Sequence, residues 1–229
     1  MNRFTLPATL LAFSLSLPAL AQDELKPLPK DFKSLKVLAE KGNARAQMLI
    51  GNRYWQGKGV TRNLKESARW YRMAAEQGDV KAQTNIGVLH RFGRGVKREE
   101  KEAVHWFRKA SGKGYPRAQL YLGEMYALGK GVEKDEKEAV NWWRKAAEQN
   151  HSTAQYYLGD MYEAGLGVQK DYVMACAWYN IASTNENVGA KKIKSLLIKK
   201  MTPEQIAEAE ALANELRQKI EANLKAKKN

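Results

Sequence analysis

Apolar positions in this chain recur with a helical period nested inside a longer one. Ala82, Ile86 and His90 fall at i, i+4 and i+8, one face of a helix, and Tyr54, Tyr126 and Tyr162 hold the last position elsewhere. The face then returns every 36 residues: Ala46, Ala82, Ala118 and Ala154 each open an Ala-Gln pair at that interval. Gly51, Gly87, Gly123 and Gly159 keep the same step, as do Trp70, Trp106, Trp142 and Trp178. A fixed period of this length, shared by many columns, predicts stacked supersecondary units. The fold class expected is all-α, an α-solenoid of helix-turn-helix repeats.

Each unit predicts two helices. Glycine inside a helix costs roughly 1 kcal/mol against alanine, so its return at Gly51 and the matching positions implies helices too close for a side chain. Gly57, Gly93, Gly129 and Gly165 suit the left-handed residue that ends a helix, and a Gly-Val turn follows. The second helix is expected to start at Asn63, Glu99, Asp135 and Asp171. Glu66, Glu102 and Glu138, three residues on, would complete a capping-box variant, which Met174 breaks in the fourth unit. The four tryptophans are expected to form one buried ladder.

The solenoid is predicted over 34–189, with a half-repeat at 34–45 and units opening at 46, 82, 118 and 154. The half-repeat would cover the hydrophobic end of the first unit. Residues 190–229 predict capping helices, the last one starting at Thr202-Pro203-Glu204-Gln205. At the other end, Arg3, the apolar run 8–17, Pro18 and Ala19-Leu20-Ala21 form a signal-peptide pattern over 1–21, cleaved near Ala21/Gln22. That run is shorter than the roughly 20 apolar residues of a membrane span. Residues 22–33, with Pro27 and Pro29, predict a flexible lead-in, and the expected location is periplasmic or secreted.

The string Ala-x-x-x-[Ile/Leu]-Gly-x-x-Tyr-x-x-Gly-x-Gly-Val, followed by Trp-[Tyr/Phe/Trp]-Arg-x-Ala, resembles the Sel1-like repeat, a relative of the tetratricopeptide repeat. His90 departs from it, as do Asn150 and Glu186, which stand where Gly78 and Gly114 do. The resemblance implies a right-handed superhelix acting as an adaptor or scaffold, and the Thr-Pro-Glu-Gln helix supports a bacterial periplasmic home. Cysteine-paired members of the family are described as β-lactamase-like. This chain has no such pairs, so a β-lactamase-like or cell-wall hydrolase is the weakest of three readings.

Composition narrows the chemistry further. Cys176 is the only cysteine, so no intrachain disulfide can form, and its Ala/Val column predicts a buried, inert thiol. His90, His105 and His151 have no metal-ligand neighbour at helical spacing, and no string matches a phosphate loop. The expectation is no catalytic residue, no metal and no cofactor. The formal net charge of +14 favours acidic partners.

Two binding surfaces follow from the helix geometry. The inner groove is expected to hold Arg45, Met48, Asn52 and Trp55 in the first unit, then Lys81, Thr84, Val88, Arg91 and Phe92. Arg117, Leu120 and Glu124 follow in the third unit, and Tyr156, Asp160 and Glu163 in the fourth. Positive charge would gather in its first half and negative charge in its second, around the aromatic anchors Trp55 and Phe92. The turns carry a second feature, a basic edge of Lys58, Arg62, Arg94, Arg98, Lys130, Lys134 and Lys170. The first reading is therefore a protein scaffold of the cell envelope. The alternative is an envelope protein holding an acidic polysaccharide or lipopolysaccharide on that edge. Neither reading involves nucleic acid or a transmembrane segment.

Overall fold

The computed structural model describes residues 27–226, so the signal segment 1–21 and the start of the lead-in lie outside the described residues. The helices are α1 (Phe32–Glu40), α2 (Ala44–Gln56), α3 (Leu64–Glu76), α4 (Val80–Phe92), α5 (Glu100–Gly112) and α6 (Pro116–Leu128). They continue as α7 (Glu136–Ala147), α8 (Ser152–Ala164), α9 (Tyr172–Thr184), α10 (Val188–Leu197) and α11 (Pro203–Ala226). No strand occurs among the described residues. Helices α2 to α9 form four antiparallel pairs in sequence order, α1 packs on α2, and α10 and α11 both close on α9. The expected solenoid is formed.

Helix boundaries follow from the caps. Asn43 and Asp79 accept hydrogen bonds from the Ala46 and Ala82 amides (2.8 and 2.7 Å), so the first helix of each unit starts two residues before the repeated alanine. Asn63, Asp135 and Asp171 cap the second helices as expected. Glu99 does not cap, and its carboxylate instead lies 3.5 Å from Lys97 Nζ. The return half of the capping box is also absent. In every unit the cap residue's own amide donates to a first-helix carbonyl, as from Asn63 to Tyr54 and Asp135 to Tyr126 (both 3.0 Å). Thr202 and Gln205 do form a complete box.

Within a unit, the two helices meet through glycine and a ring. A Cβ added to Gly51, Gly87, Gly123 or Gly159 would lie 2.4–2.6 Å from the ring of Tyr71, Phe107, Trp143 or Tyr179. That ring column is the true intra-unit core. The tryptophan beside it is buried at Trp70, Trp106 and Trp178, but Trp142 is only half-buried, with Lys145 Nζ 4.1 Å over its ring. The ladder is therefore broken in the third unit. Between units, the turn glycines perform the same service. A Cβ on Gly131 or Gly167 would strike the carbonyl of Glu100 or Glu136 at 2.4 Å, at the start of the preceding unit's second helix.

A buried glutamine joins most neighbouring units. Gln47, Gln83 and Gln155 donate to the carbonyls of Ala39, Ala75 and Ala147, which end the preceding second helix. This supplies orphan helix-end carbonyls with a donor. The Asn150 and Glu186 turns keep the left-handed backbone of their glycine counterparts, with φ of 64° and 63°. The lead-in is packed rather than loose from Leu28, which joins Phe32 against the cluster of Leu35, Ile50 and Trp70. At the other end Ala213 and Ile220 of α11 close over the fourth unit's core.

His90 takes the tyrosine position of its column. Tyr126 and Tyr162 accept from Arg108 and Arg144 through their hydroxyls (3.0 and 3.2 Å), whereas Arg72 Nη2 lies 3.0 Å from His90 Nε2. Arginine only donates, so Nε2 must accept and the ring is neutral. Burial, then the Arg72 charge, holds the His90 pKa below the usual histidine range, against a weaker pull from Glu102.

Two predictions come from this packing. Gly123→Ala should lower stability by about 1–3 kcal/mol by forcing Trp143 aside. Gly112→Ala, where nothing lies within 4 Å, should raise it by about 0.5 kcal/mol. Urea unfolding of both variants tests the glycine–ring contact, and equal effects would refute it. The second prediction concerns acid. A depressed folded-state pKa gives His90 a contribution that is full above about pH 6.5 and fades as pH falls below it. His90→Tyr should therefore shrink the loss of unfolding midpoint between about pH 7.5 and about pH 5.5. An unchanged loss would show that His90 is not the acid-sensitive group.

Candidate functional site

One pocket of about 460 Å³ opens where α2, α4 and α6 lie side by side. Six expected groove residues meet there: Met48, Asn52, Trp55, Lys81, Val88 and Arg117. Its apolar wall is Met48, Leu49, Val88 and Leu89. Tyr71 donates to Asn52 Oδ1 (2.7 Å), and burial pushes its pKa up to about 12, so the hydroxyl keeps its proton at neutral pH. Arg117 Nη1 donates to Asn85 Oδ1 (3.4 Å). Neither Lys81 nor Arg117 has a carboxylate partner among the described residues. Tyr71, Asn85 and Tyr115 were not foreseen in the groove. The spacing of Asn85 four residues after Lys81 was the available signal, since such residues share a helix face.

The expected split of charge along the groove is not what the structure shows. Arg91 and Glu124, assigned to opposite halves, form an ion pair with each other, and their side chains are only 11% and 15% exposed. Arg91 also lies over the rings of Phe92 (5.0 Å) and Tyr121 (5.6 Å). Thr84 and Leu120 are buried, so their column belongs to the core as much as to the groove. Arg45 sits on the first turn of α2, outside the pocket lining.

The acidic end is occupied from within. The one hydroxyl proton of Tyr179 is shared between Asp160 and Glu163 (2.7 and 3.0 Å), and Lys200 Nζ is 3.3 Å from Glu163. Burial raises the Asp160 pKa, and burial likewise raises that of Tyr156, whose ring centroid is 5.8 Å from Tyr179's.

The basic edge is not a continuous row of free cations either. Arg98 pairs with Glu100 (2.6 Å), Lys134 with Glu136 (2.7 Å), and Lys170 Nζ lies 4.9 Å over Tyr172. Arg62 and Arg94 turn to the groove aromatics instead. Both lie over Trp55 (5.8 and 5.5 Å), and Arg94 also lies over Phe92 (5.2 Å). Edge and groove therefore merge at the first two units. Phe92, half exposed at 50%, forms their shared border.

Among the remaining reactive side chains Cys176 is buried, His151 is partly buried and His105 is exposed. Burial pushes the Cys176 thiol up, which disfavours the thiolate that nucleophilic chemistry needs. His105 leans on Trp106 at 5.3 Å, and His151 stands at the start of α8 with a pKa lowered by burial. No group of three or more His, Cys, Asp or Glu side chains placed to hold a metal occurs among the described residues.

The Sel1 repeat model matches the chain four times, at 44–79, 80–115, 116–151 and 152–187. Those bounds fall on the observed first-helix starts. A protective antigen of uropathogenic Escherichia coli strains, displaying an SLR fold, is 43% identical over 82% of this chain, with a TM-score of 0.78. The match covers 40% of that longer protein. A Sel1 repeat protein from Oxalobacter formigenes is 34% identical, covering 79% of this chain and 74% of that one, with a TM-score of 0.70. An immunity protein of Pseudomonas aeruginosa shares the fold at 23% identity and a TM-score of 0.51, over 82% of this chain and 71% of its own. No curated protein matches the sequence.

The ion pair between the second and third units generates a prediction. A double-mutant cycle with Arg91→Ala and Glu124→Ala, read by urea unfolding, should give a coupling of about 1.5–3 kcal/mol. A coupling near zero would mean that each side chain is held by its rings or backbone and not by the other.

Proposed function

Because the chain belongs to the Sel1 repeat family, whose repeats typically serve as scaffolds for protein–protein interaction, we propose that it is a non-catalytic scaffold of the bacterial periplasm. It holds an extended segment of a protein partner in the groove of its first three units. The observation that carries this reading is the pocket itself. Lys81 and Arg117, with no carboxylate partner, stand beside Trp55 and an apolar wall. Aromatic and cationic groups beside apolar surface are the usual anchors of an interface. Export is supported by the charged, apolar and small-residue pattern of residues 1–21. The polysaccharide reading is weakened by the carboxylates that already neutralise Arg98 and Lys134.

Two experiments test the proposal. Cell fractionation should find the protein in the periplasm with its N-terminus at Gln22, and cytoplasmic recovery of the full-length chain would refute export. A photo-crosslinking residue in place of Gln56, on the exposed pocket rim, should capture envelope protein, while the same residue at Lys134 should not. Crosslinking from position 134 alone, suppressed by added salt, would favour the polyanion edge and overturn the groove.

A further inference from the structure

Six large apolar side chains are exposed among the described residues, and four of them gather on the turn edge. Phe92 and Leu128 share one column, as the last residues of α4 and α6. In the fourth unit that column holds Ala164, but Leu166 stands two residues on, where the other units carry Lys58, Arg94 and Lys130. Leu196 joins them from α10. That helix packs on α9, and Lys200, just beyond its end, lies 3.3 Å from Glu163 in the last turn of α8. The four side chains are 43–54% exposed. Packing does not require them there, since Gln56 fills the same column in the first unit. None of the four lines the groove pocket.

A contiguous apolar row with a polar rim marks a contact surface, and this rim is basic. A pocket of about 190 Å³ between the second and third units sets Phe92 beside Arg91, Arg98 and Lys130. Along the edge segments 57–63, 93–101, 129–137, 165–171 and 198–200, twelve Lys and Arg stand against six Asp and Glu. Residues 188–200 hold five lysines and no acid. Arg98, Lys134 and Lys200 already have carboxylate partners, so the surplus belongs to the edge as a whole and not to any one cation.

We propose that this edge docks on an anionic phospholipid surface. Phe92, Leu128, Leu166 and Leu196 enter the headgroup boundary, and the lysines and arginines around them face the lipid phosphates. Apolar side chains interleaved with cations match a layer that is anionic at its surface and hydrocarbon beneath. No helix among the described residues is long and apolar enough to cross a membrane, so the contact is peripheral. A second copy on the same edge would set like charge against like charge. A soluble acidic polymer would answer the cations and leave the apolar row in water.

The test sediments the full mature chain with vesicles of equal parts phosphatidylglycerol and phosphatidylethanolamine, and with vesicles of phosphatidylcholine alone. The protein should pellet with the first and stay in solution with the second. Leu128→Ser combined with Leu166→Ser should weaken binding by about tenfold or more, with the unfolding midpoint unchanged. Lys130→Gln and Lys199→Gln should each weaken it by about fivefold. Val188→Ser, at the far end of α10 and 83% exposed, should leave it untouched. An environment-sensitive dye on Leu128→Cys should shift to the blue on the anionic vesicles, while the same dye on Val37→Cys should not. Pelleting with neither vesicle overturns the inference, as does equal pelleting with both or an unshifted dye at position 128. Binding lost in the lysine variants but kept in the leucine pair would assign the edge to soluble polyanions and also overturns it. Self-association that the leucine pair abolishes, without vesicle binding, would assign the row to a second copy instead.

Discussion

The contact on which the array depends is an aromatic ring lying on a glycine. In each unit the first helix gives up a side chain at Gly51, Gly87, Gly123 or Gly159, and the second helix fills the space with Tyr71, Phe107, Trp143 or Tyr179. Glycine is a poor helix former, so the sequence accepts a local loss to bring two helices together. The ring that fits is large and apolar, and its burial offsets that loss many times over. Because the ring varies among tyrosine, phenylalanine and tryptophan while the glycine does not, the backbone approach is the fixed quantity. The ring identity adapts around it, and Trp143 even satisfies its indole N–H on the Leu120 carbonyl (3.1 Å).

Most of the architecture was legible because it is periodic. Helix pairs, turn glycines and the half-repeat all follow from columns that return at a fixed step, and the last capping helix from its Thr-Pro-Glu-Gln start. What the sequence hid was mostly the second neighbour of each residue. Glu99 reads as a cap beside Asn63 and Asp135, but its longer side chain reaches Lys97 instead. Trp142 reads as core, yet its outer face is covered only by a lysine. The ring column after the tryptophans was visible but looked secondary, because tryptophan is the larger and rarer residue.

The candidate site was legible by column and not by chemistry. Helix geometry placed Asn52, Trp55, Lys81 and Arg117 on one face, and they do line one pocket. It could not show that Arg91 and Glu124 cancel each other, because the pairing runs between units and joins residues 33 apart. Nor could it show Arg62 and Arg94 folding from the turn edge onto Trp55. Side-chain reach, about 6–7 Å for an arginine, is comparable to the spacing of neighbouring faces. Face assignments therefore hold for backbones better than for long cations.

The joint between the second and third units differs from the others in kind. Elsewhere a buried glutamine bonds to the preceding helix end, but Gln119 makes no such bond to Ser111, whose hydroxyl has no partner. The Arg91–Glu124 pair crosses this joint instead. The glutamine joints are held by neutral hydrogen bonds, whereas this one is held by two opposite charges, 11% and 15% exposed, which dissolved salt screens far less than a surface pair. The protein is thus a stack with one joint of a different material, set between the unit that supplies Lys81 and the unit that supplies Arg117.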